Sequence, residues 1–148
     1  MSAMREYFDR FYLTDETALF EEKQAEVTCL LQNAYWAAGR TDRTMLAAIQ
    51  NSLNYGVFEA ESHRLVGFAR VVTDFATVCY LCDVFVAEEF RGMGLGKKLV
   101  SHILSHDSRL QGISGLLKTR DAADFYKSFG FEECKSLCMI RTAKKSGL

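Results

Sequence analysis

The 148-residue sequence has no proline, no repeat and no low-complexity stretch, so nothing in it marks a linker between domains. A chain of this length can bury one substantial core and reads as a single domain over residues 1–148. No apolar run is long enough to cross a bilayer. The opening MSAMREYFDR carries too much charge for a secretory leader. A strong excess of one charge is also missing. The net charge of −1 argues against a general nucleic-acid binder and gives no preference for acidic or basic partners. Neither nucleic acid nor membrane is therefore expected as a partner. The five cysteines, Cys29, Cys79, Cys82, Cys134 and Cys138, are odd in number and scattered through apolar segments. Reduced thiols, buried as small hydrophobes in a cytoplasmic protein, fit that pattern.

What the sequence does contain is a hydrophobic period that switches along the chain. Residues 7–14 read as a first strand. From Glu21 the residues Val27, Leu30, Leu31, Ala34 and Ala38 fall at helical spacing, with Gly39 as the stop. Thr41 or Asp42 can cap a second helix carrying Met45, Leu46 and Ile49. Residues 55–60 and 65–73 read as a hairpin, and residues 77–86 as an apolar strand buried on both faces. Leu95, Leu99, Val100, Ile103 and Leu104 form one helical face. A strand at 112–119, a short helix at 121–129 and one or two strands over 131–141 complete the chain. The order β-α-α-β-β-β-α-β-α-β predicts an α/β (α+β) fold, a mixed sheet covered by helices.

The stretch FRGMGLGKKLV places Gly92, Gly94 and Gly96 at the threshold of a helix, where each glycine costs about 1 kcal/mol relative to alanine. A Walker loop does not fit, because Lys98 follows Gly96-Lys97 and Arg91 stands where the first glycine belongs. G-x-G-x-x-G begun at Gly92 would need a glycine at Lys97 and also fails. What remains is a glycine-spaced loop feeding a helix N-terminus, where unpaired N–H groups and the helix dipole favour an anion. Lys97 or Lys98 can add charge. A tight strand-to-helix connection without a ligand accounts for the same residues.

VFVAEEFRGMGLGKKLV resembles the acetyl-coenzyme A signature of the GNAT superfamily of N-acetyltransferases, Arg/Gln-x-x-Gly-x-Gly/Ala, with Arg91, Gly94 and Gly96 at its fixed positions. TRDAADFYKSFGF resembles the second signature of that family through Ala122, Tyr126, Gly130 and Phe131. The order of elements is similar too, so the resemblance covers nearly the whole chain. It implies a GNAT-type mixed, mostly antiparallel sheet flanked by helices. Two positions depart from the pattern. Glu88 replaces a frequent proline, and Thr119 replaces a frequent asparagine that contacts the cofactor.

The resemblance implies acetyl transfer from acetyl-CoA, a co-substrate leaving as coenzyme A, to a primary amine of a small molecule or peptide. The main chain of Val84, Phe85 and Val86 would bind the pantetheine arm, and one N–H would polarise the thioester carbonyl. The N–H groups of Arg91, Gly92, Met93, Gly94, Leu95, Gly96 and Lys97 would hold the pyrophosphate, with Thr119 as a further contact. Tyr126 would be the general acid that protonates the departing sulfur. An amphipathic core tyrosine is its alternative. No metal is implied, and a homodimer is left open. A non-catalytic coenzyme-A-binding module is the alternative function.

Four further features have two readings each. Asp83 lies inside an apolar strand, as a desolvated base or, preferably, as the ion-pair partner of Arg70. Trp36 and Arg40, beside Tyr35 and Arg43, sit at a helix junction that in GNAT proteins often walls the acceptor site, or Trp36 simply anchors the helix pair. Cys79 and Cys82, three residues apart on a strand, point to opposite faces and read as structural rather than metal-binding. His102 and His106 share a helix face near Asp107, and a solvated face is favoured over a metal site.

Overall fold

The computed structural model describes residues 4–143, which fall into two compact units divided between Lys118 and Thr119. The first is built on a six-stranded sheet whose spatial order follows the sequence. Strands β1 (Arg5–Phe8), β2 (Phe11–Thr14), β3 (Leu53–Glu59), β4 (Leu65–Thr73) and β5 (Val78–Val86) run antiparallel to their neighbours. Strand β6 (Ser114–Leu117) joins β5 in parallel.

Alternation along the strands divides the core between two faces. Helices α1 (Thr17–Glu22), α2 (Gln24–Leu31) and α3 (Asp42–Gln50) bring Phe20, Val27, Leu31, Met45 and Ile49 onto Tyr12, Phe58 and Phe68. Each such side chain, fully buried, contributes roughly 1.5–3 kcal/mol. Helix α4 (Leu95–Ser101) covers the other face. A β-carbon at Gly67, next to Phe68 but pointing the opposite way, would lie 3.3 Å from Leu99. At Gly56 a β-carbon would come within 2.6 Å of the Phe20 ring, so the bare backbone there lets α1 close onto the sheet.

Several boundaries differ from those the sequence suggested. The strand read over residues 7–14 is the hairpin β1–β2, because Asp9 takes a positive φ of 47° that aspartate tolerates in a turn. The helix read from Glu21 to Gly39 is broken at Lys23 and ends at Leu31. Beyond it, Ala34 N–H donates to Leu31 O, Ala37 to Ala34 O and Arg40 to Ala37 O, a chain of three-residue turns. Ala34 is still buried, as the stripe implied, but Ala38 is exposed and Ala37 takes the inward position instead, because turns three residues long replace the helical repeat. Thr41 caps α3, accepting Thr44 N–H at 3.1 Å. Strand β5 is buried only in alternation, with Tyr80 39 % exposed, so it is a half-buried strand.

Helix α4 continues into a π turn, His102–His106. His102 follows Leu95 and Leu99 at helical spacing and is buried with them. Its ring is stacked on His106 at 6.0 Å and lies 6.0 Å from the Tyr55 ring, so the solvated-face reading fails for His102. Asp107 closes this region as a buried acceptor for the Tyr55 hydroxyl (2.6 Å) and the Arg109 guanidinium (2.6 Å), which hold its carboxyl down at about 2 against the effect of burial.

The second unit is carried by α5 (Ala123–Lys127), entered through a turn in which Thr119 Oγ1 accepts Ala122 N–H at 3.0 Å. Phe125, Tyr126, Phe129 and Phe131 pack edge to face around it. The strands read over residues 131–141 do not form. A strand needs a neighbouring ladder, and among the described residues none pairs there; Leu137, Met139 and Ile140 stand exposed.

Candidate active site

Strand β5 forks the sheet. Its pairing with β6 ends at Leu81↔Leu117, whereas its pairing with β4 continues to Val86. Among the described residues, 82–86 therefore have a strand on one edge only. Ala87 N–H donates to Val66 O at 2.8 Å, so Val86, one residue back opposite Gly67, directs its N–H and C=O away from β4. Val84 has the same phase, and Phe85 the opposite one. An extended ligand can add to this edge as a strand would.

The fork coincides with a bulge. The register slips between Phe68↔Phe85 and Arg70↔Cys82, and Asp83 takes a φ of 55°. A left-handed non-glycine residue inside a strand costs on the order of 1 kcal/mol or more and persists only where its surroundings fix it. Here the side chain is fully buried and held on both oxygens. Oδ2 accepts Arg40 Nη1 at 2.7 Å and Arg70 Nε at 2.9 Å, and Oδ1 accepts Trp36 Nε1 at 3.0 Å. Arg70 Nη1 is anchored in turn on Ser52 Oγ at 2.8 Å. Burial alone would raise the Asp83 carboxyl, but the Arg40 hydrogen bond and the charges of Arg70 and Arg40 outweigh it and keep it below the usual carboxylate range. This is the ion pair with Arg70, enlarged by Arg40 and Trp36. Both oxygens of Asp83 are engaged and its basicity is lowered, which disfavours the base reading.

The same turns that end α2 early deliver Trp36 and Arg40 to Asp83. Trp36 also meets the Phe85 ring edge to face at 6.2 Å and Tyr35 at 5.0 Å, while 41 % of it stays exposed. Trp36 is thus both an anchor and an exposed surface at the fork. Cys79 is buried and Cys82 partly so, both as free thiols. Burial pushes the Cys82 thiol up to about 11, so it is protonated at neutral pH and a poor nucleophile.

After β5, a 3-10 turn (Glu88–Phe90) leads to the glycine loop. Gly92 and Gly94 have φ of 80° and 77°, and a β-carbon on either would meet nothing within 4 Å. The backbone is open above both. Gly94 immediately precedes α4, and no side chain caps the N–H groups there. Bare, open backbone with outward N–H groups is what a pyrophosphate requires, so the residues present fit coenzyme A. Met93 and Lys97 are exposed around the loop, Gly96 is half-buried and Leu95 is buried as the anchor of the helix. Of the two lysines, Lys98 is committed to Glu6 and the Phe8 ring, which leaves Lys97 as the loop's cation. Arg91 turns back instead: its Nε donates to Val86 O at 3.1 Å and its guanidinium lies 5.1 Å from the Phe85 ring centre. It rests on the free edge of β5.

In the second unit Tyr126 is half-buried on α5, and Thr119 is the turn acceptor described above. Sequence reasoning missed the bulge, Ser52 and the Arg91–Val86 contact. The lone acid in an apolar strand was the available signal for the bulge; the other two depend on tertiary structure.

A strand edge opened by a bulge is followed here by an open glycine loop on a helix N-terminus. Residues 51–133 match the family model described as the acetyltransferase (GNAT) domain. The chain belongs to the GNAT acetyltransferase family. It is 29 % identical over 130 residues to GCN5-related N-acetyltransferase 2, chloroplastic, of Arabidopsis thaliana, covering 84 % of this chain and 49 % of the relative. The chain spans 49 % and 61 % of the length of two of the curated relatives it matches. Among solved structures, a GNAT-family acetyltransferase of Xanthomonas campestris pv. campestris superposes with a TM-score of 0.79 at 32 % identity, over 93 % of this chain and 96 % of the other. An aminoglycoside N-acetyltransferase solved in complex with CoA shares the fold, with a TM-score of 0.63 at 16 % identity, over 96 % and 97 % of the two chains.

Proposed function

We propose that this protein transfers the acetyl group of acetyl-CoA to a primary amine by direct attack. The observation that carries the reading is the conjunction of the unpaired β5 edge at Val84–Val86 with the open glycine loop that begins five residues later. Acetyl-CoA supplies an activated acyl group on a good leaving thiolate. Everything else falls to the chain. The Val84 and Val86 main chain pairs with the pantetheine amides, and Arg91 gives up the Val86 carbonyl as they arrive. An outward N–H of this edge also hydrogen-bonds the carbonyl oxygen as negative charge develops on it, where fixed dipoles contribute most. The N–H groups of residues 91–97, with Lys97, hold the pyrophosphate. Thr119 stands at the second signature, and Tyr126 supplies a proton to the departing sulfur. Asp83 is assigned to scaffolding: it fixes the bulge, Trp36 and Arg40. Loss of the amine proton is left to water. Direct attack is favoured over an acyl-enzyme because Cys82, the thiol of β5 beside the bulge, is protonated at neutral pH.

The test is an acceptor screen that follows thiol release from acetyl-CoA. Amine-dependent release is expected from at least one acceptor class. Tight coenzyme A binding with no release on any amine, small or peptide, would favour the alternative of a non-catalytic coenzyme-A-binding module.

A further inference from the structure

The cluster at the bulge has an unbalanced charge. Among the described residues, Asp83 is the only carboxylate that pairs with Arg40 or Arg70, so two guanidiniums share one negative charge. Both contacts fall on the same oxygen, Oδ2, because Oδ1 is taken by the Trp36 indole. A partly buried cation without a full counter-charge is costly unless water or an anion reaches it. The two arginines differ in access. Arg70 is 12 % exposed and tied to Ser52 by Nη1, whereas Arg40 is 25 % exposed. The surplus charge therefore faces solvent at Arg40. It does so beside the exposed Trp36 and Tyr35 rings, next to the point where the β5 edge opens.

We propose that the acceptor is a small amine bearing an oxyanion, a carboxylate or a phosphate, and that Arg40 binds this group while Asp83, Arg70 and Trp36 keep the guanidinium in place. The inference rests on the acetyl-transfer reading of the same site. A planar guanidinium held on one side by a carboxylate can still donate from its remaining N–H groups, and its fork geometry suits either oxyanion. The oxyanion restores charge balance at the cluster and brings the amine to the fork.

Paired probes test this. 5-Aminopentanoate is compared with 5-aminopentanamide, and 3-aminopropyl phosphate with 3-aminopropanol, all by thiol release from acetyl-CoA, with coenzyme A binding measured separately by calorimetry. At least one anionic member should exceed its neutral partner in kcat/KM by about tenfold or more, the scale of a hydrogen bond to a charged group. The pair showing the preference tells carboxylate from phosphate. In Arg40→Gln that ratio should fall towards unity mainly through KM, with Arg40→Lys intermediate, and the melting temperature of each variant checks its fold. Ratios near unity in both wild-type pairs, alongside coenzyme A binding and turnover, would overturn the inference and leave acetyl transfer standing. An anionic preference that survives unchanged in Arg40→Gln would also overturn it. Absence of coenzyme A binding would overturn the acetyl-transfer reading and this inference with it.

Discussion

Replacing Asp83 with asparagine preserves shape and removes one negative charge from a site where it faces two guanidiniums. Removing one partner from a buried ion pair costs about 3–5 kcal/mol, because the opposite charge is left uncompensated. Arg40 is partly exposed and can turn towards water, so the loss should lie near the lower end, about 3 kcal/mol. In a chain of this size that corresponds to a fall in Tm of roughly 6–12 °C. Urea unfolding of wild type and Asp83→Asn at pH 7 measures the difference directly. The double variant Asp83→Asn/Arg70→Met should recover part of it, since one unpaired cation goes with the carboxylate. The pH dependence has a definite sign. The folded-state pKa of Asp83 is depressed, so its contribution is present above the unfolded value near 4 and is lost as pH falls through the folded one. The gap between wild type and variant should therefore be constant from about pH 5 upwards and close in more acidic solution. A variant within about 0.5 kcal/mol of wild type would refute the scaffold assignment. If turnover vanished while stability held, Asp83 would be the base instead.

Tyr126→Phe should retain the fold and coenzyme A affinity but lose roughly 100-fold or more in turnover, measured where chemistry limits the rate. Full turnover would return Tyr126 to a packing role. Gly94→Val places a side chain in open space but at a positive φ, so it should cost about 1–2 kcal/mol in stability. It should also sharply weaken coenzyme A binding by obstructing the pyrophosphate, and unchanged affinity would leave the loop a mere connection. Gly56→Ala drives a methyl group into the Phe20 ring and should destabilise the protein by about 1–3 kcal/mol in urea melts, with little effect on coenzyme A affinity.

The parts of the fold that could be read from sequence are those governed by local pattern. The β3–β4 hairpin, the Thr41 cap and the glycine loop each carry their own chemistry, and each appears where the residues put it. Long-range packing hid the remainder. Ala34 and Ala38 fit a helical stripe, whereas the tight turns bury Ala34 and Ala37, and only the need to reach Asp83 separates the two. His102 looks solvent-facing by its polarity, yet it continues the buried Leu95–Leu99 face and packs beside Tyr55. For the tail, residues 131–141 have enough apolar character to suggest strands, but strand formation depends on a partner edge that sequence cannot supply. At the site, motif resemblance reached the loop and the β5 edge, and Asp83 stood out by its polarity. That Asp83, Trp36 and Arg40 form one cluster could not be read, because they meet only through the bulge.

The central claim is that the β5 edge and the glycine loop together hold acetyl-CoA. Calorimetric titration with coenzyme A, acetyl-CoA, ATP and NAD, paired with thermal melts, tests it most directly. Both coenzyme A species should bind, and at about a hundredfold excess over Kd should stabilise the fold by about 2.7 kcal/mol, while ATP and NAD do not match them. A melting temperature unmoved by saturating coenzyme A but raised by ATP or NAD would contradict it.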